Sequence, residues 1–166
     1  MIRAFTLFCF LPFYAIAQKA DSLVNLYAFL GEKIALNAYP ADSVKQKAIL
    51  WIDSTTGDTA WSVKLMTDNG FVAKYKVLKW VYNTLQLDTL EFHVFDHYGR
   101  PAFESELTVL LYVTRGANGN YYHQKYQFDY VRKTTKGHWV GKSGESLSRL
   151  FLIKKEKVFK PRGLFH

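Results

Sequence analysis

The sequence predicts a mainly β protein, an antiparallel meander forming a sandwich or partly closed barrel behind a cleaved N-terminal signal helix. Three observations carry this expectation. Four successive runs, at 71–83, 90–95, 107–114 and 121–132, alternate their side chains with the two-residue period of a pleated strand. Short clusters of Gly, Asn, Asp and Thr separate them, the residues that turns require. The chain also holds 13 Phe, 11 Tyr and 4 Trp, flat side chains that pack well across strands.

At the N-terminus, Met1, Ile2 and Arg3 lead into an apolar run, 4–17, that closes on Ala15-Ile16-Ala17. This reads as a secretory signal peptide cleaved before Gln18. The run holds Pro12 and is shorter than the roughly 20 residues that span a bilayer. No transmembrane segment is therefore expected after cleavage, and the destination is the periplasm or the extracellular medium. Phe8 stands before Cys9, where a lipidated cysteine would need a small residue, so a lipid anchor is not expected. Cys9 is the only cysteine, and the mature chain has no thiol for a disulfide or a metal. Residues 18–166 are read as one β-rich domain with a basic C-terminal tail, of a size that buries a core without staples.

In the mature chain, 22–30 leans to strand, Gly31 breaks it, and 33–39 alternates again. A turn at 40–43 precedes a short helical turn at 44–48, the apolar run 49–52 and a loop at 53–58. The run 71–83 sets Ala73, Tyr75, Val77 and Val81 against Lys74, Lys76, Leu78, Trp80 and Tyr82, with a bend near Lys79. The run 90–95 points Leu90, Phe92 and Val94 inward and Glu91, His93 and Phe95 outward. The run 107–114 is apolar on both faces, as a central strand is. After the hairpin signal Asn118-Gly119, 121–132 sets Tyr122, Tyr126, Phe128 and Tyr130 against Tyr121, His123, Lys125, Gln127 and Asp129. Thr134 to Gly137 turns the chain into a strand at 138–140. From 146 to 155 both a strand and a basic amphipathic helix fit, and the alternation of Phe151 and Ile153 favours a charged edge strand; 157–166 reads as a loose tail. Neither internal repeats nor low-complexity tracts occur.

The stretch Asp96-His97-Tyr98-Gly99-Arg100-Pro101, with Tyr122-His123-Gln124-Lys125-Tyr126-Gln127-Phe128, resembles segments of small exported bacterial proteins of unknown function. The resemblance covers 71–139. It implies a secreted β domain and brings no activity or site residues.

Two constellations compete for function. The first is His93, Asp96, His97 and His123, candidates for acid–base catalysis in a secreted hydrolase. His93 and His97 lie about 13 Å apart along a regular strand at ~3.3 Å per residue, too far to share one metal. The spacing fits a turn better: Asp96 accepts a backbone hydrogen bond, Gly99 supplies an unusual conformation and Pro101 extends Arg100. No metal or other cofactor is expected. Gly137 to Ser143 has only three residues between its glycines, where a phosphate-binding loop needs four. The second constellation is the aromatic and basic set Tyr75, Trp80, Tyr82, Tyr122, Tyr126, Tyr130, Lys125 and Arg132, expected as ligand contacts wherever the rings are exposed. The formal charge of +8 reads first as solubility charge; where it marks partners they are an anionic glycan, a lipid head group or another envelope protein, and not nucleic acid, which is less available outside the cytoplasm. The expectation is thus an exported, non-catalytic binding or envelope-associated β domain, with the hydrolase as its alternative.

Overall fold

The computed structural model describes residues 24–39, 48–52, 59–63 and 68–165; for 48–52 and 59–63 only the backbone pairing is described. The signal segment, the turn at 40–43 and the loop at 53–58 lie outside the described residues, as does the helical turn at 44–48 except Ala48.

The molecule is mainly β. Its strands are β1 (Tyr27–Ala38), β2 (Ala48–Ile52), β3 (Thr59–Val63), β4 (Asn69–Tyr82), β5 (Thr89–Asp96), β6 (Thr108–Arg115), β7 (Tyr121–Lys133) and β8 (Trp139–Gly141). A 3-10 turn, Ala102–Ser105, separates β5 from β6, and helix α1 (Leu147–Lys154) runs into a π-helical turn, Lys155–Phe159. β2 and β3 form a two-stranded antiparallel ladder of their own. The other six strands lie in the order β5-β4-β1-β6-β7-β8, and β5 also pairs with β7 through His93 and Tyr122. That parallel pairing closes β1, β4, β5, β7 and β6 into a ring.

The four runs thus pair as two hairpins, β4–β5 and β6–β7, with β1 inserted between β4 and β6. β1 can serve both because a strand has two hydrogen-bonding edges, and residues 28–32 pair on both at once. Its first half faces β6 (Tyr27 opposite Val113, Glu32 opposite Thr108), and its whole length faces β4 (Ala28 opposite Tyr82, Ala38 opposite Phe71). Contrary to the expected break, β1 continues through Gly31, although its register with β4 shifts between Leu30 and Gly31. A Cβ there would sit 2.8 Å from the Phe29 ring and 3.0 Å from Tyr75, so glycine marks a close approach and not a turn.

The ring encloses one apolar core, including Phe29, Phe71, Tyr75, Phe92, Phe103 and Leu111, each removing from water side-chain surface worth about 1.5–3 kcal/mol. The 3-10 turn delivers Phe103 into this core. Outside the ring a second core joins Leu26, Ala28, Leu110 and Tyr112 to Phe151, Phe159 and Phe165 of the C-terminal segment. β6 is therefore buried on both faces, which its unbroken apolar run had announced.

The edge strand expected at 146–155 is a helix. Ser146 caps it by accepting a hydrogen bond from the Arg149 amide at 3.2 Å, and Leu147 and Phe151, one turn apart, face the barrel. The wider π turn brings Phe159 onto the same core, and Gly163 (φ 75°) ends the segment. Phe159 and Phe165 are buried, so the tail is docked and not loose. Tyr82 stacks on Phe151 at 4.4 Å and 17°. Beneath the helix, the Tyr112 hydroxyl donates to Asp129 at 2.5 Å and Lys154 approaches the same carboxylate at 3.6 Å. Burial raises the Asp129 pKa against the opposing pull of both partners.

Candidate functional site

The outward residues of β5 and the start of β7 meet where the ring closes. Period-two geometry turns Phe92 and Val94 inward, so His93 and Phe95 point outward, beside Tyr122. The His93 and Tyr122 rings are 5.2 Å apart, and Phe95 lies nearly parallel to Tyr122 at 6.4 Å and 15°. Tyr39, just beyond β1, packs edge-on to Phe95 at 6.0 Å and its hydroxyl is hydrogen-bonded to Nδ1 of His93. Burial, with Tyr122 nearby, raises the Tyr39 hydroxyl pKa above its ordinary value. From the β6–β7 turn, Asn118 Nδ2 donates to the Tyr122 hydroxyl at 2.7 Å. Two glycines make room for these rings: a Cβ on Gly70 would lie 2.4 Å from the Tyr39 ring, and one on Gly116 2.6 Å from Tyr122.

Further along, β7 leaves its alternation. Val113 pairs with His123 but Leu111 pairs with Phe128, so residues 124–127 bulge out of the ladder, and Tyr126 holds φ at 64°. The bulge carries Lys125 and Tyr126 to the turn after β5. There Asp96 accepts the Tyr98 amide at 2.8 Å and Gly99 adopts φ 117°, the turn chemistry expected from the sequence. Tyr98 is 86% exposed and Tyr126 43%, with ring centroids 6.0 Å apart. Lys125 sits 5.3 Å over the Tyr126 ring and bridges to Asp68 at 2.6 Å; His97 Nδ1 lies 3.4 Å from the same carboxylate. The Lys125 hydrogen bond holds Asp68 below the usual carboxylate range, and Asp68 in turn raises Lys125.

His123 takes the opposite direction, into the barrel. Its ring lies 4.8 Å from Phe103, and Nε2 donates to the Gln127 carbonyl at 2.8 Å. Burial, assisted by the positive charge of Lys154, pushes its pKa down to about 4 in spite of that bond, so the ring is neutral near pH 7. His123 and Asp96 line a cavity of about 80 Å³ with Pro101, Phe103 and Phe128. The four members of the first constellation are therefore divided: His93 and His97 face outward, His123 and buried Asp96 inward. Among the described residues no group of three or more His, Asp or Glu side chains is placed to hold a metal ion.

The second constellation is dispersed as well. Tyr75 is fully buried in the core, which removes it from any surface, and burial raises its pKa; its hydroxyl has no hydrogen-bond partner among the described residues. Trp80 packs 5.4 Å from Phe29, and Tyr82 lies under the helix. Tyr130 is covered by Lys142, whose Nζ stands 3.7 Å from the ring, and Arg132 donates to the Lys142 carbonyl at 3.4 Å. Only Tyr122, Tyr126 and Lys125 reach the face just described.

The chain matches no protein-family model, no curated protein and no solved structure. The face must therefore speak through its own chemistry. Sequence reading missed Tyr39, Asp68, Phe95 and Tyr98 as members of it. Tyr98 had a usable signal, an aromatic residue at the tip of an Asp-x-x-Gly turn; Tyr39 and Asp68 come from distant parts of the chain and had none.

Proposed function

We propose that the protein is an exported, non-catalytic binding module whose contact surface is the β5–β7 face, and that it takes a glycan. Export rests on the character of residues 1–17. The binding reading rests on one observation above the rest: Tyr98 and Tyr126 are exposed rings fixed by an Asp-capped turn and a left-handed bulge, so they offer a stacking platform already in place. Around it, Asp68, His97 and Lys125 supply polar groups that sugar hydroxyls need, and Asn118 adds another beside Tyr122. Among the described residues the lysine at the platform, Lys125, is already neutralised by Asp68, and a polyphosphate chain would require free cations tracking the rings.

Architecture supports an adjoining place that shares β5 with this face. Five-stranded Greek-key barrels of the oligonucleotide- and oligosaccharide-binding type use the face of their second and third strands, flanked by the connections between strands one and two and between strands four and five. Here those strands are β4 and β5, and the connections contribute Tyr39 and Asp68 on one side and Asn118 on the other. This is fold-level analogy, added to the residue argument.

The test is an array of immobilised neutral and acidic oligosaccharides probed with the mature protein and with Tyr98→Ala/Tyr126→Ala. Selective retention weakened roughly tenfold or more by the double substitution, ~1.4 kcal/mol, is the expected result. Absence of binding to every glycan, or binding indifferent to both rings, overturns the reading.

A further inference from the structure

The charge of the chain is not spread over it. Residues 131–162 contain ten Lys and Arg against two Glu, a surplus of eight that equals the formal net charge of the whole chain, so everything before residue 131 balances to zero. Only two of those ten cations are paired by an acid among the described residues: Lys154 with Asp129 and Lys160 with Glu156. The rest stand free of ion pairs, and Arg132, Lys133, Lys142, Arg149, Lys157 and Arg162 are exposed. The elements that carry them adjoin one another. β8 pairs with the end of β7, and Val140 bridges to Ser146 at the helix start.

Its non-charged residues have a particular character. Lys133 lies 5.9 Å over Trp139 and Lys142 3.7 Å over Tyr130, so aromatic rings sit directly under ammonium groups. On the outward side of α1, Leu152 is 47% exposed between Arg149 and Glu156, about 100° around the helix from the docked Phe151. Free cations, a protruding leucine and Trp and Tyr at the boundary together match an anionic lipid surface, where each basic side chain adds to attraction and rings settle at the head groups.

From this we infer that the β8–α1 surface seats the protein peripherally on anionic membranes, leaving the β5–β7 face to a separate ligand. Among the described residues no helix is long and apolar enough to cross a membrane, and α1 spends its apolar side on the barrel, so the attachment is electrostatic and reversible. The test is co-sedimentation of the mature protein with vesicles of phosphatidylcholine mixed with phosphatidylglycerol, and with vesicles of phosphatidylcholine alone. Binding to the anionic vesicles alone, released by salt, and weakened at least about tenfold by Arg149→Glu/Lys157→Glu, is expected. Both substituted side chains are exposed, and an unchanged circular-dichroism spectrum verifies the fold. Tyr98→Ala/Tyr126→Ala should sediment like the parent, which separates this inference from the glycan reading. Equal binding to both vesicle types, no binding to either, an unaffected charge-reversal variant, or retention on an immobilised single-stranded oligonucleotide without vesicle binding would each overturn it.

Discussion

His123 makes the stability of the barrel depend on pH in a way that can be worked out. In the unfolded chain its imidazole titrates near 6.5, while burial against Phe103 and Phe92 holds the folded value at about 4. The unfolded state thus binds the proton more tightly. The stability tied to this side chain is fully present above about pH 6.5 and is lost as pH falls toward 4. By linkage, about 2.5 kcal/mol is gone at about pH 4.5, a large share of the 5–15 kcal/mol typical of a domain. His123→Phe keeps an aromatic ring at the site and removes the titration; losing the bond to the Gln127 carbonyl costs about 1 kcal/mol at either pH. Carboxylates such as Asp68 and Glu104, which ion pairs hold below their ordinary range, also lose stabilisation in acid, but equally in both proteins. The measurement is urea unfolding of parent and variant at about pH 7.5 and about pH 4.5. The parent should lose about 2–3 kcal/mol more than His123→Phe between the two conditions. If the two proteins lose stability in parallel, His123 is not buried as a neutral ring and the reasoning fails.

Two further outcomes follow from the packing of the helix. Phe151→Ala removes the stacked partner of Tyr82 and opens the outer core, and should cost about 3–5 kcal/mol in a denaturant midpoint measurement; a loss under ~1 kcal/mol would mean that the helix does not dock there. At the polar contact beneath it, Asp129→Asn should be near neutral at pH 7 by thermal unfolding, because it relieves a half-buried charge, keeps an acceptor for Tyr112 and leaves Lys154 its bond to Gln127, whereas Asp129→Ala should destabilise by about 1–3 kcal/mol. Equal effects of Asn and Ala would remove that explanation.

Strands were legible where one face is buried and the other wet, because period two is then written directly into the side chains. β4 to β7 lie within about two residues of their expected limits. What sequence could not reveal was partnership. The insertion of β1 between β4 and β6 depends on contacts some 80 residues apart, and nothing local in 27–38 names its neighbours. Gly31 misled for a related reason, since a glycine demanded by a ring pressing on the backbone looks the same as one demanded by a turn. At the C-terminus, Phe151 and Ile153 alternate, but the true anchors, Leu147, Phe151 and Phe159, follow helical spacing, and Ser146 was an available cap. The site was half legible: β5 showed its outward face, but the bulge at 124–127 resets β7, and no residue type there demands the left-handed turn taken by Tyr126.

The parallel contact between His93 and Tyr122 is the shortest seam in the ring, a single rung where the other joints are ladders. Strain on the cylinder would find its release there, and a guest lying across Phe95, Tyr122 and Tyr126 would be stitching the two margins together. If the proposed ligand binds there, occupancy and integrity of the wall become one equilibrium, and slowed amide exchange on either side of that rung is where the effect would register.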